Sequence, residues 1–213
     1  MKYNWLIIAL LIVAGASAQS STEYKSWTKV VYRIKPSENL KIDVGGQYRT
    51  ETGAGFNRAI AEVEVKKQMS KNLTYAAEYR HYFIKDDVGA VTGIDQRSRL
   101  RLHAERRYDL SEGELYLRYG IQHREIVTGG GSRKTDARVR VLYEFGIKDF
   151  KWDPELYTEY LQTLNGDFDQ RLRIGISTGN KIMGTAFSIG YFYQRNITQT
   201  GPHYHTATLG LRL

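Results

Sequence analysis

The chain contains no cysteine, which excludes disulfide bonds, thiolate catalysis and cysteine-ligated metal sites. Proline is scarce, with three residues in 213. Few prolines suit long hydrogen-bonded strands, because proline cannot donate to a strand ladder. After residue 13 the sequence also lacks a long apolar run, so we expect no membrane-spanning helix there. What the chain does have is 16 tyrosines and a formal net charge of +8.

The N-terminus has the pattern of a secretory signal peptide. Lys2 supplies a positive start, residues 5–13 are apolar, and a small-residue Ala-Ser-Ala motif ends at Ala18. The apolar run is too short to cross a bilayer. We therefore expect a cleaved signal peptide at residues 1–18 and a single domain at residues 19–213.

Residues 97–105 show strict alternation of side-chain type. Every second residue is ionisable: Arg97, Arg99, Arg101, His103 and Glu105. The residues between them are serine, leucine and alanine. Successive side chains of a strand point to opposite faces, so this segment predicts a strand with one charged face and one largely apolar face.

The same alternation recurs in eleven segments of the chain. They cover residues 27–35, 40–49, 59–69, 73–84, 95–108, 114–127, 137–146, 155–163, 170–178, 183–195 and 205–213. Short connections alternate with longer ones, as in outer-membrane barrels. Together with the signal peptide, this pattern predicts an all-β fold, a transmembrane up-and-down antiparallel β-barrel with its charged residues inside.

The strand count is a difficulty for this prediction. A barrel with both chain ends on one side of the membrane has an even number of strands. Either residues 19–26 hide a further short strand, or residues 27–35 are not part of the wall. We predict about 12 strands, with 10 as the alternative. A soluble, lipocalin-like barrel is a rival fold, in which the apolar faces would point inward.

The predicted lumen is rich in charge of both signs. Its expected basic lining is Arg97, Arg99, Arg101, Arg118, Arg124, Arg138, Arg140, Arg171 and Arg173. Its expected acidic lining is Glu62, Glu64, Glu78, Glu144, Glu155 and Glu159. These side chains either pair and fill the lumen as a structural network, or leave surplus arginines along a narrow channel that prefers anions. Small anionic solutes are the expected ligands of such a channel, with no metal or cofactor.

Three polar residues on the predicted outer face suggest one alternative chemistry. The expected strand pairing sets His81 opposite Ser98, and Ser98 opposite His123. Outer-membrane lipid hydrolases and deacylases use such an outward Ser–His pair, with the histidine as general base. We favour a barrel that is not an enzyme, since polar residues at the headgroup level are ordinary. Nucleic acid is not an expected partner, because the basic surplus points inward.

Several motifs resemble known outer-membrane barrels. Trp27-Thr28, followed by the alternating run from Leu40 to Arg49, resembles a family of small outer-membrane barrels of unknown function. This resemblance implies a Gram-negative outer-membrane location and a single barrel, and it supplies no catalytic residues. The chain length and arginine ladder are also similar in architecture to small monomeric porins for acidic oligosaccharides. The C-terminal strand resembles the signal read by barrel-assembly machinery, with Leu213 in place of the usual aromatic residue. The expected partners are therefore outer-membrane lipid and this machinery.

Overall fold

The computed structural model describes residues 22–51, 55–86, 93–129, 132–165, 169–198 and 202–213. Eleven strands occupy these ranges: β1 (Thr22–Ser37), β2 (Leu40–Glu51), β3 (Gly55–Ser70), β4 (Leu73–Asp86), β5 (Gly93–Leu110), β6 (Gly113–Thr128), β7 (Lys134–Phe145), β8 (Asp153–Thr163), β9 (Gln170–Ile182), β10 (Thr185–Asn196) and β11 (His203–Arg212). None of the described residues belongs to a helix long and apolar enough to cross a membrane. The predicted signal peptide lies outside the described residues.

The strands form one closed barrel in chain order, which confirms the predicted all-β, up-and-down architecture. Consecutive strands are antiparallel, and β1 closes the barrel by pairing in parallel with β11. This seam runs from Thr22–His203 to Val31–Arg212. Beyond it, the Leu213 amide donates a hydrogen bond to the Val31 carbonyl at 2.8 Å. Direction alternates along the chain, so an odd number of strands requires one parallel contact at the closure.

The described residues form 11 strands, which is close to the predicted number of about 12. Residues 22–26 extend β1 instead of forming a further strand, and residues 27–35 do belong to the wall. The difference of one comes from the assumption that both chain ends lie on one side. The parallel seam removes that requirement. It places the start of β1 and the end of β11 at opposite rims of the barrel.

The two rims differ in the length of their connections. One, the short-turn rim, carries residues 38–39, 71–72, 111–112, 146–152 and 183–184. The other, the long-loop rim, carries residues 52–54, 87–92, 129–133, 164–169 and 197–202. The start of β1 lies at the long-loop rim, and Leu213 lies at the short-turn rim. Apart from residues 146–152, the connections at the short-turn rim have two residues and those at the long-loop rim have three to six, in agreement with the sequence pattern.

The turn between β9 and β10 is tighter than the sequence pattern predicts. The alternation places this turn at residues 179–181, whereas the strands continue until Ile182 pairs with Thr185. Met183 and Gly184 form the turn, with φ of 48° and 88°. Two successive positive φ values define the type I′ turn, whose twist matches that of antiparallel strands. The longer strands follow from this two-residue turn.

The inner face is polar and the outer face is apolar. Glu78 and Glu159 are only 1% and 3% exposed, although both are charged residues. Leu100 and Ile176, on the outer face, are 50% and 54% exposed. The rival lipocalin-like fold requires the opposite distribution, with apolar side chains inside. The observed distribution therefore contradicts that alternative.

Aromatic side chains form two bands on the outer face. The band near the long-loop rim contains Tyr24, Tyr48, Phe56, Phe83 and Tyr193. The band near the short-turn rim contains Tyr32, Tyr75, Tyr108, Tyr143, Phe145 and Phe187. Aliphatic residues such as Leu100, Leu102 and Ile189 lie exposed between the bands. The outer face thus has an apolar belt with an aromatic edge on each side.

Candidate functional site

The lumen holds six buried carboxylates among the described residues. They are Asp43, Glu62, Glu64, Glu78, Asp136 and Glu159. Their strands place them at inward positions, between basic side chains of neighbouring strands. A buried carboxylate is stable only when cations and hydrogen-bond donors surround it. The contacts of these six residues therefore determine how the lumen is organised.

Glu78 is the centre of the first cluster. Arg80 lies 2.5 Å from its Oε1, Arg99 donates to the same oxygen at 2.8 Å, and Arg101 contacts Oε2. Arg80 also reaches Glu62 at 2.9 Å. Arg101 reaches the nearby Glu64 at 3.4 Å. Shared arginines thus join these carboxylates into one network across β3, β4 and β5.

This network continues toward β1 and β2. Glu62 contacts Lys29 and accepts a hydrogen bond from Gln47 at 2.6 Å. Lys66 links Glu64 at 3.0 Å to Asp43 at 3.5 Å. Each carboxylate of the network has at least two polar or cationic partners, so the inner wall of β1 to β5 is held together by ion pairs.

A second network lies on the opposite wall, from β6 to β10. Asp136 accepts hydrogen bonds from Gln122 at 2.6 Å, Thr163 at 2.8 Å and Arg124 at 3.0 Å. Arg171 lies 3.4 Å from the same carboxylate. These four partners supply the hydrogen bonds and positive charge that a fully enclosed carboxylate requires.

Glu159 is the other centre of the second network. Arg138 contacts one of its oxygens, and Arg173 donates to the other at 2.8 Å. Arg173 also donates to Gln194 at 2.6 Å, and Arg138 donates to Gln122 at 3.2 Å. Gln122 therefore connects the Glu159 cluster to the Asp136 cluster.

Three arginines that line the upper cavity, described below, have no carboxylate within ion-pair distance in the described part of the chain. Arg140 stacks on the Tyr157 ring, with 4.1 Å from Cζ to the ring centroid. Arg49 stacks on Trp27 at 3.7 Å. Arg58 donates to the Asn57 side chain at 2.5 Å. These three cations remain uncompensated by the networks described above.

The lumen contains two cavities of about 690 and 760 Å³. The first, the upper cavity, extends toward the long-loop rim and is lined by fifteen Lys or Arg residues and four Asp or Glu residues. The second, the lower cavity, is lined by seven basic and four acidic residues. Both are lined by Lys29, Glu64, Lys66, Arg140 and Tyr157. The two cavities therefore meet at these side chains in the middle of the barrel.

The predicted basic lining lies together in the structure. Arg97, Arg99, Arg101, Arg118, Arg124, Arg138, Arg140, Arg171 and Arg173 all line the upper cavity. Arg118 pairs with Glu105 at 2.8 Å, and Arg97 lies 3.8 Å from Asp95. Most of these arginines are engaged with a carboxylate, and Arg140 is the exception described above.

The predicted acidic lining divides into two groups. Glu62, Glu64, Glu78 and Glu159 are centres of the ion-pair networks. Glu144 and Glu155 instead face each other across β7 and β8 at the short-turn rim. Glu155 accepts a hydrogen bond from Ser177 at 2.7 Å. These two glutamates thus lie away from the arginine clusters.

The sequence interpretation missed Asp136 and Arg58. Both were assigned to loops, but β7 begins before Asp136 and β3 begins before Arg58. A register shift next to Arg49 allows β3 to continue to Gly55. Extending the alternation backwards from Arg138 and from Glu62 would have found both residues. The two residues were therefore missed because the predicted strands were too short, although both residues fit the side-chain alternation.

The proposed outward Ser–His row is only partly present. His81 is paired with Ser98, as predicted. Ser98, however, is paired with Glu125, and His123 with Leu100, so the second expected pairing was wrong. A two-residue turn lets Leu110 pair with Gly113, where the prediction paired Tyr108 with Gly113. The register therefore differs by two residues.

The two histidines are hydrogen-bonded to residues other than Ser98. His81 Nε2 lies 3.1 Å from Gln96 Oε1. His123 bonds Thr135 at 2.8 Å and Glu125 at 2.9 Å. Neither histidine is hydrogen-bonded to Ser98, which is itself among the described residues. No group of three or more potential metal ligands occurs in the described ranges either.

The fold and lumen together define a class of protein, a closed antiparallel β-barrel with an apolar exterior and an ion-paired, charged interior. Residues 24–205 match a family described as "Protein of unknown function (DUF2490)". The chain therefore belongs to that family. Searches of curated proteins and of solved structures found no match.

Proposed function

We propose that this protein spans the outer membrane of a Gram-negative bacterium and conducts small anions through its lumen. The single observation that carries the proposal is the charge of the upper cavity, with fifteen basic and four acidic lining residues. Rings of arginine and lysine favour anions in pores, because they raise the local anion concentration and repel cations. The two cavities share lining residues in the middle of the barrel, and we infer that the conducting path runs through both of them.

The outer face supports insertion into a membrane. Its strands present exposed aliphatic residues between two aromatic bands, as transmembrane barrels do at the two interfaces. The closed sheet leaves no unpaired strand edge, which a bilayer core would not tolerate. The signal peptide expected at residues 1–18 provides the route of export, and barrel-assembly machinery is the proposed partner for insertion.

A structural role for the lumen is the second candidate function, and the two ion-pair networks favour it. Glu78 and Glu159 each hold several arginines across neighbouring strands. In a narrow barrel such networks fill the interior and stiffen the wall. In this case the protein would cross the membrane without conducting ions. We propose no catalytic role for His81, Ser98 or His123.

Arg140 gives the sharpest test of conduction, because it lies where the cavities meet and has no carboxylate partner. Substituting it leaves no buried carboxylate unpaired, unlike a change at Arg99, which pairs with Glu78. In planar bilayers we expect discrete conductance steps. Arg140→Gln should lower the anion-to-cation permeability ratio about threefold or more, since pore charges set selectivity.

Arg106→Gln is the matched control, because Arg106 points outward and stacks on Tyr108 with 5.2 Å from its Cζ to the ring centroid. The control should keep the wild-type permeability ratio. Wild-type protein that gives no conductance steps would overturn the channel proposal and leave the structural role. An unchanged ratio in Arg140→Gln would contradict the assignment of Arg140 to the conducting path.

A further inference from the structure

We propose that Arg49 and Arg58 form an oxyanion-binding site at the mouth of the upper cavity, which takes the carboxylate or phosphate group of a small solute. This inference rests on the proposed function in one respect, since it names the anions that the channel would select. The binding itself does not depend on ion flow.

The two arginines are neighbours on adjacent strands. Arg49 on β2 is directly paired with Arg58 on β3, and both line the upper cavity. They lie one inward position below Glu51, at the end of β2 near the long-loop rim. Two guanidinium groups side by side repel each other unless an anion lies between or beside them.

The nearest carboxylates are engaged with other partners. Glu51 is 2.9 Å from Lys25 and accepts a hydrogen bond from Asn57 at 2.7 Å. Glu62, deeper in the lumen, contacts Lys29 and Arg80 and accepts from Gln47. Neither carboxylate lies within 4.0 Å of Arg49 or Arg58 in the described part of the chain. Within the described residues, the pair of arginines is thus without a counter-charge.

Neighbouring groups hold both side chains while leaving donors unused. Arg49 stacks on Trp27 and donates through Nε and Nη2 to the side-chain amide oxygen Oε1 of Gln47, at 3.3 and 2.7 Å. Its Nη1 is left for a ligand. Arg58 donates through Nε to Asn57 at 2.5 Å, so both of its Nη atoms are left. Terminal guanidinium nitrogens suit the paired oxygens of carboxylate and phosphate groups.

Apart from Arg140, the other arginines of the upper cavity differ in this respect. Arg99, Arg138 and Arg173 each donate to a buried carboxylate at Glu78 or Glu159. A solute anion would have to compete with these internal carboxylates. Arg49 and Arg58 require no such exchange, and they lie near the long-loop rim, at the end of β2 and the start of β3.

The test is calorimetric titration of inorganic phosphate, and separately of acetate, into detergent-solubilised protein at constant ionic strength set with chloride. We expect saturable binding of phosphate to the wild type. The double variant Arg49→Gln/Arg58→Gln should weaken it about tenfold or more, because charge-assisted bonds to two arginines are lost. Arg49→Lys/Arg58→Lys, which retains charge but not the planar groups, should bind with intermediate affinity. The acetate titration shows whether the site also takes carboxylates.

Arg106→Gln/Arg195→Gln is the control, since it removes two charges from outward positions. It should bind phosphate as the wild type does, and gel mobility with and without heating verifies that each variant is folded. Equal phosphate affinity in the wild type and in Arg49→Gln/Arg58→Gln would overturn the site. Phosphate binding without conductance would overturn the channel alone, whereas conductance with unchanged binding in the double variant would overturn the site alone.

Discussion

At the scale of single residues, the lumen depends on a few buried carboxylates. Glu78 contacts three arginines, and its side chain is almost fully enclosed. Removing one partner of a buried ion pair leaves the other charge without compensation, which commonly costs about 3–5 kcal/mol. Arginines outnumber carboxylates in this part of the lumen, so a single carboxylate compensates the charge of more than one arginine.

This arrangement predicts a large effect for Glu78→Gln. We expect the free energy of unfolding to fall by about 3–5 kcal/mol, because Arg99 would lose its carboxylate and Arg80 and Arg101 would each keep only one of two. Denaturant titration of the protein in lipid or detergent measures the loss.

Glu155→Gln is the control for that measurement. In the described part of the chain Glu155 bonds only the Ser177 hydroxyl and faces Glu144, so neutralising it relieves a like-charge pair. We expect little change in its unfolding free energy. If Glu155→Gln lowers the free energy of unfolding as much as Glu78→Gln does, the Glu78 network does not contribute more to stability than other lumen charges.

The side-chain alternation identified which residues face inward more reliably than it located strand ends. Glu78, Arg99 and Glu159 face the lumen as their positions in the pattern indicate. Asp136 and Arg58 were lost because the pattern was stopped at glycine-rich or polar segments. Which arginine pairs with which carboxylate was not predictable, because the pairing depends on the register of strands distant in sequence.

At the scale of strands, the seam between β1 and β11 sets the architecture. The assumption that both chain ends lie on one side of the membrane predicts an even number of strands, whereas the parallel seam makes 11 possible. Local alternation does not contain this information. It specifies that β1 and β11 are strands, but closure depends on their relative direction, which no local pattern determines.

Cysteine cross-linking tests the seam directly, since the chain has no cysteine of its own. Ser26 and Ala207 are direct partners on the outer face, so Ser26→Cys/Ala207→Cys should form a disulfide on mild oxidation. Ser26→Cys/Leu211→Cys is the control, since position 211 is paired with Val30 instead. Electrophoresis without reductant detects the cross-link. Cross-linking of the control but not of the first pair would contradict the register.

The length of the turn between β5 and β6 was also not predicted from the sequence. The strands β5 and β6 were expected, yet their register was two residues away from the predicted one. The cause is the two-residue connection at residues 111–112, which the polar segment 109–113 does not reveal. A change of one or two residues in turn length shifts every pair between the two strands. A hypothesis that needs Ser98 directly opposite His123 on the outer face therefore fails when the turn length is wrong.

At the scale of the whole molecule, charge is distributed unevenly along the barrel axis. The upper cavity has fifteen basic and four acidic lining residues, and the lower cavity has seven and four. Most arginines of the upper cavity are paired with carboxylates, and Arg49, Arg58 and Arg140 are not. The proposed anion conduction depends on these three arginines. Under that proposal the protein combines an ion-paired wall with a cationic path.

The zero-current potential of the wild-type protein in a planar bilayer, across a potassium chloride gradient, tests this central claim most directly. The cationic lumen predicts a potential displaced toward the chloride equilibrium potential, because chloride would carry most of the current. A potential displaced toward the potassium equilibrium potential, or a bilayer that stays silent after verified insertion, would contradict an anion-conducting lumen.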